Sequence, residues 1–284
     1  MTPNPSHSRP TLLLVHGAWH SAAHWSRVAE ALGAAGRRAV AMDLPGCGAR
    51  AALPDAYLSQ DLASLAREVS PIAHITLEDQ AGAIVQAVLE QRVHGPVIVV
   101  AHSAGGLPAT AAVERVPEQV ARIVYVAAHC PVAFPNLLGY LGLPESADAR
   151  LAPAFIGNPE GIGAVRINPR AADAAYQALL LDGLYHDLDP VEARAFIACL
   201  TPDLPLRVAV DDVHVTPQRW GRVPRSYVRT LADRALPPAL QNRMIAEADA
   251  LTPDNLFEVY SLASGHSPFA SCPDALAALL CRLS

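Results

Sequence analysis

The pentapeptide Ala101-His102-Ser103-Ala104-Gly105 sets a serine between a continuous apolar run, Val97 to Ala101, and a helical pattern from about Ala104 to Glu114. A serine on so sharp a strand-to-helix turn is held exposed in a strained backbone conformation. The positions two before and two after it must be small, because chain elements converge there. Here they are Ala101 and Gly105. The N–H of Ala104 then lies at the positive end of a helix, where it can stabilise an oxyanion.

A serine hydroxyl is a weak nucleophile without a base. Of the eleven histidines, His266 has the right surroundings: Ser264-Gly265-His266-Ser267-Pro268 follows the last strand pattern and precedes the last helix. Loops at the carboxyl ends of parallel strands converge on one crevice, so His266 can reach Ser103 across a long stretch of sequence. The orienting carboxylate is expected from another strand end, and Asp233 follows the strand that ends near Leu231. The preceding strand loop, Ala128-His129-Cys130-Pro131, holds no acid; Asp211 and Asp212 compete, but they precede the resumed strand. A second oxyanion donor is the N–H of Ala18, in the turn His16-Gly17-Ala18-Trp19 after the first clear strand. The chemistry of this set is acyl transfer through a Ser-His-Asp triad in the chain order Ser103, Asp233, His266.

Each member also has a plainer role open to it. Ser103 can cap a helix, His266 can be a surface histidine, and Asp233 can be a solvated partner of Arg234. His16, His20 and His24 recur every four residues, but only two of them could share a helical turn, so no metal site is expected. His102 reads as structural or pocket-lining, because neighbours on a sharp turn point apart.

The elements that must position these residues follow from periodicity. Strands are expected at Thr11 to Val15, Arg38 to Met42, Val97 to Ala101 and Arg122 to Ala127, alternating with helices at Ala22 to Ala35 and Leu77 to Gln91. This is the alternation of βα units around a parallel sheet. The uninterrupted apolar run at Val97 implies cover on both faces and a central place. From 131 to 224 the alternation stops; two helical stretches, near Ala171 to Leu181 and Pro190 to Leu200, suggest an inserted, mainly helical cap. The alternation resumes with Ser226 to Leu231, Pro238 to Ala248, Leu256 to Leu262 and Pro273 to Leu283. The expected layout is an α/β core at 1–130 and 225–284 with the cap between.

Composition narrows the function. The chain has 284 residues, 51% hydrophobic and 17% charged, which suits one compact soluble domain with an insertion. It contains no lysine, so Schiff-base chemistry, a P-loop lysine and a Ser-Lys dyad are excluded. A formal charge of −6 gives no general field for nucleic acid, and the Arg219 to Arg234 cluster lacks an accompanying aromatic ladder. The five cysteines, Cys47, Cys130, Cys199, Cys272 and Cys281, form no C-x-x-C pair and are expected as reduced thiols. Met1 to Pro10 carries no apolar leader and no apolar run is long enough for a membrane span, so a cytoplasmic protein is expected.

Leu14-Val15-His16-Gly17-Ala18-Trp19-His20, Asp43-Leu44-Pro45-Gly46, the Ser103 turn and Ser264-Gly265-His266-Ser267-Pro268-Phe269 together resemble the α/β-hydrolase superfamily. Within it the chain is most similar to the branch of salicylate-type methylesterases, plant hydroxynitrile lyases and bacterial esterases such as pyrethroid hydrolases. The resemblance covers about 1–130 and 225–284 and is weak in the cap. It implies an α/β-hydrolase fold, a mostly parallel central sheet with helices on both faces. Two departures bear on activity. The lyases carry threonine where Gly17 stands, and a lysine after the catalytic histidine where this chain has Ser267. Cyanohydrin cleavage is therefore not expected. Epoxide hydrolases and haloalkane dehalogenases need an aspartate nucleophile, whereas the turn here presents Ser103. Cys47 stands where relatives commonly have a histidine, and no function is attached to it.

The expected activity is hydrolysis of small to medium apolar carboxylic esters through an acyl-enzyme, with no cofactor and no metal. The partner is a small-molecule ester, with neither nucleic acid nor membrane; a homodimer is left open. Gly17, Trp19, His102, Phe134, Tyr140, Phe155, Tyr185, Phe196 and Ser267 are the expected pocket residues. The rival readings are a receptor-like member of the fold with little turnover, and a triad-dependent lyase or cyclase acting on a natural product.

Overall fold

A computed structural model describes residues 9–284; the reading of Met1 to Pro10 as free of a leader falls, up to residue 8, outside the described residues. Six strands form one sheet: β1 (Thr11–Val15), β2 (Ala39–Met42), β3 (Val97–His102), β4 (Arg122–Val126), β7 (Arg225–Thr230) and β8 (Glu258–Leu262). All pairs are parallel, in the order β2-β1-β3-β4-β7-β8.

β1 and β3 are buried along their whole length because helices cover both faces. Alternate side chains point to opposite faces. Leu12, Leu14, Ile98 and Val100 join Val28, Leu32, Leu276 and Leu280 of the helices Ser26–Ala34 and Pro273–Leu283 on one side. Leu13, Val15, Val97 and Val99 join Ile84, Val113 and Met244 of the helices Leu77–Gln91, Gly106–Arg115 and Pro238–Leu251 on the other. Leu77–Gln91 starts where a capping box dictates: Thr76 Oγ1 accepts the Asp79 N–H at 3.0 Å and the Asp79 carboxylate accepts the Thr76 N–H at 2.9 Å. The chain leaves β1 toward β2 on one side while β3 pairs on the other, so strand order reverses at β1/β3. A crevice opens at the carboxyl ends of strands at such a point.

Residues 131–224 contain the helices Ala174–Leu184 and Pro190–Ala198, N-capped by Asp173 and Asp189. They also contain a feature absent from the mainly helical expectation, an antiparallel pair β5 (Ala164–Arg166) and β6 (Asp203–Pro205). Strands of three residues are too short to register as an alternating pattern. What holds them is polar: buried Arg166 donates to both Asp203 carboxylate oxygens at 2.6 and 2.7 Å, and to the carbonyls of Leu65 and Glu68 at 2.7 and 2.8 Å. Among the described residues no helix is long and apolar enough to cross a membrane.

Candidate active site

Ser103 directly follows the buried strand β3 with φ = +52°, a left-handed conformation that a residue with a side chain rarely adopts. Small residues flank it, where convergence of strand and helix is expected. The close neighbour of Gly105 is instead the β1 loop: a β-carbon on Gly105 would lie 2.2 Å from the His16 carbonyl oxygen. The Ser103 carbonyl is fixed by the His129 N–H at 3.0 Å. The turn is thus packed between the β1 and β4 loops, and its hydroxyl is left facing the loop that follows β8.

There His266 Nε2 lies 2.9 Å from Ser103 Oγ, and His266 Nδ1 lies 2.9 and 3.0 Å from the two carboxylate oxygens of Asp233. His266 and Asp233 are both buried. A carboxylate accepts, so Nδ1 carries the imidazole proton and Nε2 is free to accept from the serine hydroxyl. Asp233 is itself held by the Thr230 hydroxyl at 2.8 Å and the Ala235 and Leu236 amides at 2.9 and 2.8 Å. Gln241 adds a fourth donor, its Nε2 lying 3.2 Å from Oδ2. Asp211 and Asp212 stand elsewhere: Asp211 accepts from Arg207 at 2.7 Å and Asp212 from Asn136 at 2.7 Å.

The β1 loop brings Ala18 and Ala104 together along one small apolar cavity of about 10 Å³, which also touches Gly17, Leu44, Cys47 and Leu204. That is room for about one water molecule. The Ala18 N–H has no acceptor among the described residues. Ala104 sits in the first turn of a short 3-10 helix, where N–H groups have no intrahelical acceptor. Burial pushes the Cys47 thiol up to about 12, so it stays protonated at neutral pH and is no rival nucleophile.

Around Ser103 stands a cluster of buried histidines. His102 turns away from the hydroxyl and donates from Nε2 to the His266 carbonyl at 2.8 Å, with the two rings 4.8 Å apart. Burial, followed by the nearby His266, holds His102 well below the usual histidine range, so it is neutral. His16 donates from Nδ1 to the Gly17 carbonyl at 2.8 Å and accepts the Leu44 N–H at Nε2, 3.1 Å away. Among the described residues no group of three His, Cys, Asp or Glu side chains is arranged to hold a metal ion.

Of the expected pocket aromatics, Trp19, Phe155, Tyr185 and Phe196 gather on this side of the sheet. The Trp19 and Phe155 rings are 5.9 Å apart, and Tyr185 stacks on Phe196 at 5.7 Å. Ser267 is buried beside His266. Phe134 and Tyr140 are not brought here: they close on each other at 5.2 Å in the apolar cluster of the opposite face, and the Tyr140 hydroxyl contacts Glu247 at 3.0 Å. Sequence reasoning missed Phe269, a buried core residue whose ring packs against the histidines, 5.0 Å from His102 and 5.4 Å from His20. Asp187 was missed as well; it accepts the Gly265 N–H at 2.6 Å and so ties residues 131–224 to the His266 loop.

Comparison with known proteins agrees with this architecture. The sequence model of the alpha/beta hydrolase family matches residues 12–279. Esterase PIR7B of Oryza sativa subsp. japonica is 31% identical over 259 residues, spanning 85% of this chain and 85% of that protein. Among solved structures, a pyrethroid hydrolase from Sphingobium faniae JZ-2 superposes with a TM-score of 0.71 at 20% identity, covering 96% of each chain. The methylesterase MES16 from Arabidopsis superposes with a TM-score of 0.67 at 22% identity, covering 97% of this chain and 98% of that one. With a family match along almost its entire length, the chain belongs to the alpha/beta hydrolase family.

Proposed function

We propose that the protein is a carboxylic ester hydrolase working through an acyl-enzyme on Ser103. The observation that carries this reading is the unbroken hydrogen-bonded line from Ser103 Oγ through His266 to Asp233, with separations of 2.9 Å at each link. Ser103 Oγ attacks the ester carbonyl carbon while His266 Nε2 takes its proton, and Asp233 stabilises the imidazolium that forms. The carbonyl oxygen becomes an oxyanion facing the N–H groups of Ala18 and Ala104. The C–O bond to the alcohol then breaks, and His266 returns the proton to the leaving oxygen. A water molecule, activated by the same imidazole, repeats the sequence and releases the acid.

Relatives bearing the names esterase and methylesterase support ester hydrolysis as the reaction. Residues 131–224 are read as the cap, and the apolar side chains Leu44, Leu204 and Val208 beside Ala18 and Ala104 make an apolar ester the fitting substrate. Hydrolysis of p-nitrophenyl acetate by Ser103→Ala tests the nucleophile. The variant should stay folded and lose turnover; turnover at the wild-type rate would refute the assignment. Asp233→Asn should lower kcat by about 10⁴-fold, through loss of the productive tautomer. A stoichiometric burst without turnover in the wild type would favour the receptor-like reading.

A further inference from the structure

Trp19 lies at φ = +61°, in the left-handed region where a bulky residue is an outlier. Such a conformation persists only when its surroundings over-determine it. The surroundings here are specific, because three successive carbonyls of the β1 loop are each held. His16 donates to the Gly17 carbonyl at 2.8 Å. His20 Nδ1 donates to the Ala18 carbonyl at 2.6 Å. Thr201 donates to the Trp19 carbonyl twice, from its amide at 2.8 Å and from its hydroxyl at 3.2 Å.

The second and third of these ties lead into residues 131–224. The Tyr185 hydroxyl lies 2.8 Å from His20 Nε2. A carbonyl only accepts, so the proton of neutral His20 is on Nδ1, and Nε2 must accept from Tyr185. The chain Tyr185 to His20 to Ala18 is therefore directional. Thr201 belongs to the same segment, as does Val165, whose carbonyl accepts the Trp19 indole N–H at 2.9 Å.

We propose that Tyr185 and Thr201 are positioning residues for the oxyanion site, clamping the strained Ala18-Trp19 turn from residues 131–224 so that the Ala18 N–H is aimed only while that segment is seated. The inference rests on the reading of Ala18 as an oxyanion donor. Without the clamp Trp19 can relax to negative φ, and the turn then shifts and carries the Gly17–Ala18 peptide, whose N–H is the donor, off its aim. Substrate entry that lifts the segment would thus disarm the site, and closure would re-arm it.

The test uses the full chain with Tyr185→Phe, Thr201→Val and the double variant, assayed with p-nitrophenyl acetate. An oxyanion exists only in the transition state, so kcat and kcat/KM should fall together with KM unchanged. The expected loss is about tenfold for each single change and about 10²-fold for the pair, the size of removing one oxyanion donor. Affinity for a trifluoromethyl ketone, which forms an oxyanion on binding serine, should fall in parallel, while inhibition by the product alcohol stays constant. His20→Asn, which keeps a donor near the Nδ1 position, should retain more activity than His20→Leu. A kcat within twofold of wild type for both single variants, or a change in KM alone, overturns the clamp. Wild-type turnover that survives Ser103→Ala overturns instead the hydrolytic reading on which it rests.

Discussion

Gly17 faces Ser103 so closely that a β-carbon built on the glycine would lie 2.6 Å from the serine Cβ and 3.1 Å from the His102 carbonyl oxygen. Real β-carbons do not approach so near. The absence of a side chain at position 17 is what lets the β1 loop and the β3 turn share one crevice.

Gly17→Ala should therefore move Ser103 relative to His266, and a displacement of this kind costs on the order of 10²-fold in kcat. Gly17→Thr should be at least as damaging and should not confer cyanohydrin cleavage. Steady-state kinetics on an activated ester checks the first point; an alanine variant with unaltered kcat would show that the loops can part without harm.

Gln241 is fully buried and joins two strand-end residues: its Oε1 accepts the Thr230 N–H at 3.1 Å while its Nε2 donates toward Asp233 at 3.2 Å and to the Leu236 carbonyl at 2.8 Å. Gln241→Leu leaves these buried groups unpaired, at a cost of about 1–3 kcal/mol in stability. It should also lower kcat by about tenfold, since a hydrogen bond to an ionised acceptor is worth roughly 1.5–3 kcal/mol. Gln241→Glu should be worse, because two adjacent carboxylates cannot both ionise readily. Denaturant titration and kinetics on the same variants separate the effects; normal values in both would remove Gln241 from the account.

Stability should fall on mild acidification. Burial, the largest cause for both, pushes His24 and His129 down to about 4, against about 6.5 in an unfolded chain. Between these values the unfolded chain binds protons that the native one excludes, so stability is complete above pH 6.5 and is lost as pH falls toward 4. The slope reaches about 1.4 kcal/mol per pH unit for each group. His16, His20 and His102 are lowered in the same direction and add to it. Thermal midpoints measured from pH 7 to pH 5 should drop steadily, and His24→Asn should flatten the curve. A midpoint that holds or rises over this range would contradict the neutral histidine cluster.

Local signals made the βα framework legible. β3, the turn at Ser103 and the helix after it are contiguous, so apolar period and small residues define them together; Leu77–Gln91 and Pro273–Leu283 have the predicted bounds. Strand-end logic located His266 and Asp233 because loops at one edge of a parallel sheet converge. Residues that support this set were harder to find. Gln241 lies among Leu240, Met244, Ile245 and Ala248 on the buried face of its helix, and a polar residue at an apolar-face position was the available signal. Tyr185 stood out only by aromatic type and Thr201 not at all, since their partners His20 and Trp19 are 165 and 182 positions away. Phe134 and Tyr140 illustrate the converse: aromatic type alone does not tell which face of the sheet a residue joins.

The central claim is a covalent ester between the substrate acyl group and Ser103. Acid quenching during p-nitrophenyl acetate turnover, followed by peptide mass spectrometry, reads it directly. An acetyl group on the peptide containing Ser103, absent from Ser103→Ala and lost when the acylated enzyme is diluted into substrate-free buffer before quenching, is the predicted result. Turnover with no adduct at Ser103, or with the adduct on another side chain, would contradict it.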